Sequence, residues 1–440
     1  MRSWLIRLSA IPAFLIVLSV IAGATSAHAA GSPVPSAADA LKATISLKTV
    51  TVGSDPQLVL YDPANDEVYV SDTGSDTVSV VNSTTYAVTT ISVGKEPEIL
   101  TYGASNKDVY VENFDSNNVS VISSANKVVH TVKLPGLEPF SQIYDPANGD
   151  VYVVTVDATG FEISDINHQT WALKNVTLSA GYSSVAYDNA SSSLVVASGE
   201  TNELTVINAT DVATTVKLTT GIFPDFMVYN PDDKDMYIAD LGESSKGLTK
   251  TGNVSVLASD NKIIKTLKVG QNPTLGTYDP ANHDIYQVNT GNISKKPYPS
   301  STVSVIGTSN TVLKTITVGK FAVEAAYDPK NTEMYLPCAG SNKTYAINST
   351  TNAIAATITT TQYADGAGYD PALGDMLAAG LSTFLNSSST AKTIVTVIPS
   401  SNKGTSTVTL GPGPLAGAAY DPKDSGFWGA NHGDTVSVIL

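Results

Sequence analysis

The sequence predicts an all-β fold, a single β-propeller of nine four-stranded antiparallel blades whose ring is closed by an N-terminal strand completing the last blade. Three observations lead there. A Tyr-Asp-Pro phrase recurs at Tyr61, Tyr144, Tyr278, Tyr327, Tyr369 and Tyr420, with degenerate copies at Tyr102, Tyr187 and Tyr229. Successive copies lie 41, 42, 43, 42, 49, 49, 42 and 51 residues apart, near the length of a four-stranded blade. Beyond the first residues no stretch of a dozen carries apolar positions three and four apart, so helices are not expected.

Taken in chain order, the first element is a leader. Arg2 and Arg7 precede an apolar run from Leu8 to Gly23, and Ala27-His28-Ala29 offers small residues for cleavage before Ala30. A signal peptide over 1–29 and a linker over 30–43 are therefore expected, with the propeller over 44–440. An uncleaved anchor is the alternative, and either outcome places the bulk of the chain outside the cytoplasm. No second apolar run and no lipidation signal follow, so attachment to a surface would be non-covalent.

The segment Thr44 to Gly53, TISLKTVTVG, resembles the fourth strand of a blade but stands before the first Tyr-Asp-Pro. The copy from Asp55 to Gly94 then divides into PQLVLYDP, DEVYVSD, DTVSVVNS and AVTTISVG, rich in Val, Ile, Tyr and Thr and separated by turn residues. In the first turn the Asp is placed to bond its own backbone, and Pro fixes φ. The copies at Tyr187, Tyr369 and Tyr420 lack the second-strand Tyr. After Tyr420 only GFWGANH and TVSVIL remain, so the last blade lacks an outer strand and the early segment is expected to supply it. Eight blades plus an appended sheet, or two smaller rings, are the competing arrangements.

The second strands VYVSD, VYVEN, VYVVT and MYIAD, followed by TVSVVN, NVSVIS and NVSVLA, resemble the YVTN family of propeller repeats. The resemblance runs from Thr44 to Leu440. It implies a secreted propeller of the kind found in archaeal surface-layer proteins. Relatives with seven blades include lactonases and virginiamycin-type lyases, so the resemblance also implies an alternative, an enzyme working at the channel mouth.

Composition narrows the partners. The net charge of −15 becomes about −17 once Arg2 and Arg7 leave with the leader, which repels nucleic acid and anionic membrane faces. Glycans, cell-envelope components, other proteins or cations are the partners it admits. Cys338 is the single cysteine, so no intramolecular disulfide is available, and a buried apolar role suits its strand.

Candidate site residues gather where the turns between second and third strands open, because the insertions Leu241–Gly252, Gly291–Ser301 and Leu381–Lys392 all decorate that face. Asp55, Glu96, Glu98 and Glu138 precede or begin the first strands there, an arc that suits a hard divalent cation and otherwise serves as a solvated rim. Phe223, Asn272, Phe321 and Tyr363 are expected at the position of Asp55 in later blades. Asp232, Asp233 and Asp235 form a second acidic cluster, which turn chemistry explains equally well.

His130 is expected in an outer strand, His168 and His283 in turns of the far face and His432 in a turn of the decorated face, leaving the acidic arc without a histidine. Trp171 and Trp428 are expected in strands as packing residues. No catalytic elbow or cofactor motif accompanies them. Sequons at Asn82, Asn118, Asn175, Asn189, Asn208, Asn253, Asn292, Asn342, Asn348 and Asn386 make glycosylation sterically feasible. A secreted or envelope-associated scaffold that binds rather than catalyses is the expectation.

Overall fold

The computed structural model describes residues 45–156, 160–178, 181–220, 223–242, 251–361, 363–380 and 392–440. The expected leader and linker, Thr44, Asn386 and the central parts of two insertions (243–250 and 381–391) lie outside the described residues.

Among the described residues the strands form nine four-stranded antiparallel sheets. Blade 1 comprises Pro56–Asp62, Glu67–Asp72, Thr77–Asn82 and Val88–Ser92, and the next seven repeat that meander. Blade 9 takes Leu415–Asp421, Gly426–Asn431 and Thr435–Ile439, then accepts Leu47–Thr51 as its outer strand. The pairing runs from Leu47 opposite Ile439 to Thr51 opposite Thr435, flanked by Ser46 and Leu440 exchanging bonds of 2.9 and 3.0 Å. The ring is therefore closed by backbone hydrogen bonds, as the chain ends predict.

The core lies between blades rather than within them. Period-two alternation gives each strand two buried faces: Val78 and Val80 pack with Leu100, Val109 and Val111 of the next blade, while Val68 and Val70 pack with Trp428 and Val438 of the last. Outer strands bury little, with only Val50 buried in Leu47–Thr51. Bulges interrupt the outer-strand pairing of four blades, as at Val129, Ile264 and Leu313, which discourages edge-to-edge association.

The turn after each first strand behaves as the sequence implies. Asp62, Asp145, Asp279, Asp328, Asp370 and Asp421 are fully buried, and each accepts the backbone N–H two residues on, at 2.7 to 2.9 Å. Close packing explains the Val-Gly that ends four of the blades: a Cβ at Gly94 would lie 2.7 Å from the Cβ of Asn113.

Two side-chain clasps stitch neighbouring blades. The buried second-strand tyrosine reaches a left-handed turn residue of the next blade, as Tyr69 to Asn126 (2.6 Å), Tyr152 to Asp211 (2.6 Å), Tyr237 to Asn310 (2.5 Å) and Tyr335 to Asn402 (2.7 Å). Farther out, a fourth-strand residue touches the same turn: Lys48 Nζ lies 3.7 Å from the Tyr86 ring centre, His130 stacks on Trp171 at 4.7 Å, and Lys174 meets Asp211 at 2.9 Å. Trp171 thus sits in a turn with φ of 56°, not in the strand expected for it, because this position belongs to the clasp. Trp428 occupies a second strand and is fully buried, and Cys338 is buried in Glu333–Cys338 with its thiol pushed up to about 12 by burial.

Candidate functional site at the decorated mouth

The mouth is built on one backbone device. Asp55, Glu96, Glu138, Phe223, Asn272, Phe321 and Tyr363 occupy equivalent positions, each six residues before its repeat tyrosine, and all have φ between 48° and 64°. Gly181 is the equivalent in blade 4 and Pro414 in blade 9. Left-handed geometry costs an ordinary residue roughly 1–2 kcal/mol, so something must enforce it. The enforcement is hydrogen bonding on both sides of the residue. The N–H groups of Asp55, Glu96, Glu138 and Phe223 donate to Asp434, Asp76, Asn117 and Asn202 side chains of the preceding blade at 2.7 to 3.1 Å. The carbonyls of Asp55, Glu96, Phe223, Asn272 and Phe321 accept from the turn after the second strand at 2.9 to 3.2 Å. The backbone is locked while the side chain is free to differ, so the rim passes from carboxylates on blades 1 to 3 to aromatic and amide groups on blades 5 to 8.

Glu98 is the second residue of Pro97–Gly103, the first strand of blade 2, and its carbonyl accepts from Ser71 at 2.9 Å. Among the described residues no three His, Cys, Asp or Glu side chains are placed to share a metal ion, so Asp55, Glu96, Glu98 and Glu138 line adjacent blades without converging.

One histidine does join the arc. His432 Nδ1 lies 2.5 Å from Asp55 Oδ1, and Gln57 Nε2 approaches the same nitrogen at 3.4 Å. The sequence placed His432 on this face but left the arc without a histidine. Closure brings residue 432 beside residue 55, and no local spacing announces it. With Nδ1 engaged, Nε2 is the ring nitrogen available to a ligand. The other histidines are structural: His168 and His283 lie in far-face turns, 2.7 Å from Asp150 and 2.8 Å from Asp232. Asp233 accepts from Tyr237 and Asp235 from Asn310, so the Asp232, Asp233 and Asp235 cluster belongs to the turns and clasps.

Below the rim lie buried acids that periodicity alone did not single out. Burial raises Asp225 to about 8 and Glu324 to about 8, with Asp365 adding repulsion at the second. Glu112, fully buried beside Glu98, is raised well above the ordinary range. Tyr182, also raised by burial, donates to Ser141 at 2.8 Å. A faint signal existed, since Asp225 interrupts the otherwise apolar start of PDFMVYN.

The expected sequons divide by geometry. The Oδ1 atoms of Asn82, Asn208, Asn292, Asn342 and Asn348 accept backbone N–H groups in turns or from the next blade. Asn175 accepts from Ser164, the amides of Asn118 and Asn253 donate to backbone carbonyls, and Asn189 is exposed in a first turn.

Solved structures share the architecture. The chain is similar to the dihydro-heme d1 dehydrogenase NirN in complex with DHE, with TM-score 0.56 at 14% identity, covering 82% of this chain and 78% of that one. It is similar to the Dos1 propeller, with TM-score 0.56 at 10% identity over 90% of this chain and 95% of that one. Virginiamycin B lyase from Staphylococcus aureus follows at TM-score 0.47 and 12% identity, over 90% and 99%. At these identities the likeness is one of fold. No curated protein matches the sequence. A family model does match residues 54–274, the first five blades and the start of the sixth, and by it the chain belongs to the YNCE-like β-propeller family.

Proposed function

We propose that the chain is a secreted or cell-envelope-associated scaffold that binds or assembles, of surface-layer or adhesion kind, rather than a catalyst. The observation that carries this reading is the mouth itself. Equivalent positions are held by the same backbone bonds while their chemistry changes from blade to blade, which suits a broad contact surface more than one convergent centre. The strands flanking the long insertions end on the same face, widening that surface. The leader, the sequons and the strongly acidic balance support an extracellular setting with glycans, envelope components or other proteins as partners. Fractionation of producing cells, with sedimentation of the purified protein, tests the reading. Retention by the envelope or self-association is expected; a protein that does neither overturns it.

A second reading has one observation in its favour. The His432, Asp55 and Gln57 group is a polar centre at the mouth of the sort a propeller lactonase or lyase requires. Metal analysis after dialysis discriminates: stoichiometric metal that is lost when His432 and Asp55 are replaced favours the enzyme.

A further inference from the structure

We propose that the crevice between the outer parts of blades 5 and 6, beside the 291–301 insertion, binds an acidic saccharide unit, a hydroxyl-rich ring bearing a carboxylate. The proposal deepens the binding reading by naming a ligand class for one place on the decorated face. The crevice has a volume of about 340 Å³, and Lys268, Gln271, Asn289, Pro299, Thr302 and Thr315 contribute to its walls. That is the lower end of the range for small-molecule sites. Half of the lining residues carry amides or hydroxyls, no carboxylate contributes, and Lys268 is its one charged group. A cation would find no anionic ligand here, whereas hydroxyls and a carboxylate find donors and acceptors of matching kind.

The surroundings reinforce the sign. Residues 260–324 hold seven lysines against four acidic residues in a chain of net charge −15; Asp279, Asp284 and Glu324 are buried, and Asp260 pairs with Lys262 at 2.6 Å. Lys268, Lys295 and Lys296 are exposed and form no ion pair among the described residues. A long polyanion is repelled by the rest of the molecule. A short acidic sugar senses mainly this patch, because screening confines exposed charges to about 8–10 Å. Next to Pro299 in the wall, Tyr298 packs against Phe321 with ring centroids 5.1 Å apart, and Lys296 Nζ lies 5.7 Å from the Tyr298 ring centre. That packing on the blade 7 rim anchors the segment that carries Pro299 into the crevice wall.

The test is calorimetric titration of the purified protein at low salt with oligogalacturonate, a neutral oligogalactan of equal length and inorganic phosphate. Oligogalacturonate is expected to bind at least about tenfold more tightly than the neutral oligomer, and more weakly as salt rises. Lys268→Ala should weaken it about tenfold, a loss of ~1.4 kcal/mol, with melting unchanged, while Lys127→Ala on blade 2 leaves it alone. Absent oligogalacturonate binding, equal binding of the neutral oligomer, equally strong phosphate binding, or an inert Lys268→Ala overturns the proposal. Saccharide binding that survives when envelope retention fails separates this site from the proposed function; retention without saccharide binding sinks this assignment alone.

Discussion

The seam between blades 9 and 1 and the seam between blades 4 and 5 are built from the same repeat, yet one is heavily clasped and the other is not. At the first, where the strand leading into blade 1, Leu47–Thr51, is held to the rest of blade 9 by its ladder rather than by a turn, Trp428 stacks on Tyr86 at 5.8 Å, Lys48 covers Tyr86, Lys423 pairs with Asp66 at 2.7 Å, and His432 meets Asp55. At the second, the clasp tyrosine is replaced by Val195, and Asn261 Oδ1 is buried without a hydrogen-bond partner. Ala213–Lys217, the strand that leads into blade 5, is tied to blade 4 by the chain turn from Glu203–Asn208 whether or not the clasp forms. Leu47–Thr51 is tied to blade 9 only by its ladder and side chains, so contacts accumulate at the seam it closes.

Breaking the closing seam should have the largest effect. Deleting 44–53 exposes the edge of Thr435–Ile439 and removes Val50 from its cluster. Size-exclusion chromatography and a thermal melt should report aggregation or loss of the cooperative transition. Trp428→Ala at the same seam should cost about 3–5 kcal/mol by denaturant titration, since Trp428 is fully buried.

The other seam offers a pH test. Asp225 is buried beside the blade 4 wall, where its backbone carbonyl accepts from Ser184, and its folded-state value is raised from 3.8 to about 8 by burial. The folded chain therefore holds a proton that the unfolded chain releases. Its contribution is full below about pH 4 and is lost as pH rises towards 8. Melting temperature should fall over that window, with Glu324 contributing in the same direction. Asp225→Asn and Glu324→Gln should flatten the slope and raise stability at pH 8, together on the order of a few kcal/mol. Smaller effects complete the comparison. Tyr69→Phe should cost about 1–2 kcal/mol by stranding Asn126, whereas Asn261→Asp, which keeps a residue suited to φ 62°, should stay within about 0.5 kcal/mol, because no tyrosine reaches that position.

What could be read from the sequence follows from the range of the physics involved. Strand alternation, the Asp-Pro turns and the orphan outer-strand segment are local patterns, and each predicted its element and the closure. Rim positions were also legible, because Asp55, Glu96 and Glu138 keep one spacing from their tyrosines. His432 beside Asp55 was not, since their meeting is made only by completing the ring. Trp171 misled because a clasp residue in a turn looks like an aromatic strand residue until the neighbouring blade is in place. The buried acids Glu112, Asp225 and Glu324 escaped for a related reason: in each strand period two marks an inward face, but not which inward positions neighbouring blades seal from water.

Closure is most directly tested by a paired cysteine variant, Thr49→Cys with Ser437→Cys, whose parent residues face each other across the closing pair. Under mild oxidation it should form an intramolecular disulfide in the monomeric protein, seen as altered mobility in non-reducing electrophoresis and a raised melting temperature. Failure to crosslink, or crosslinking only between molecules, would contradict a ring sealed by its own amino-terminal strand.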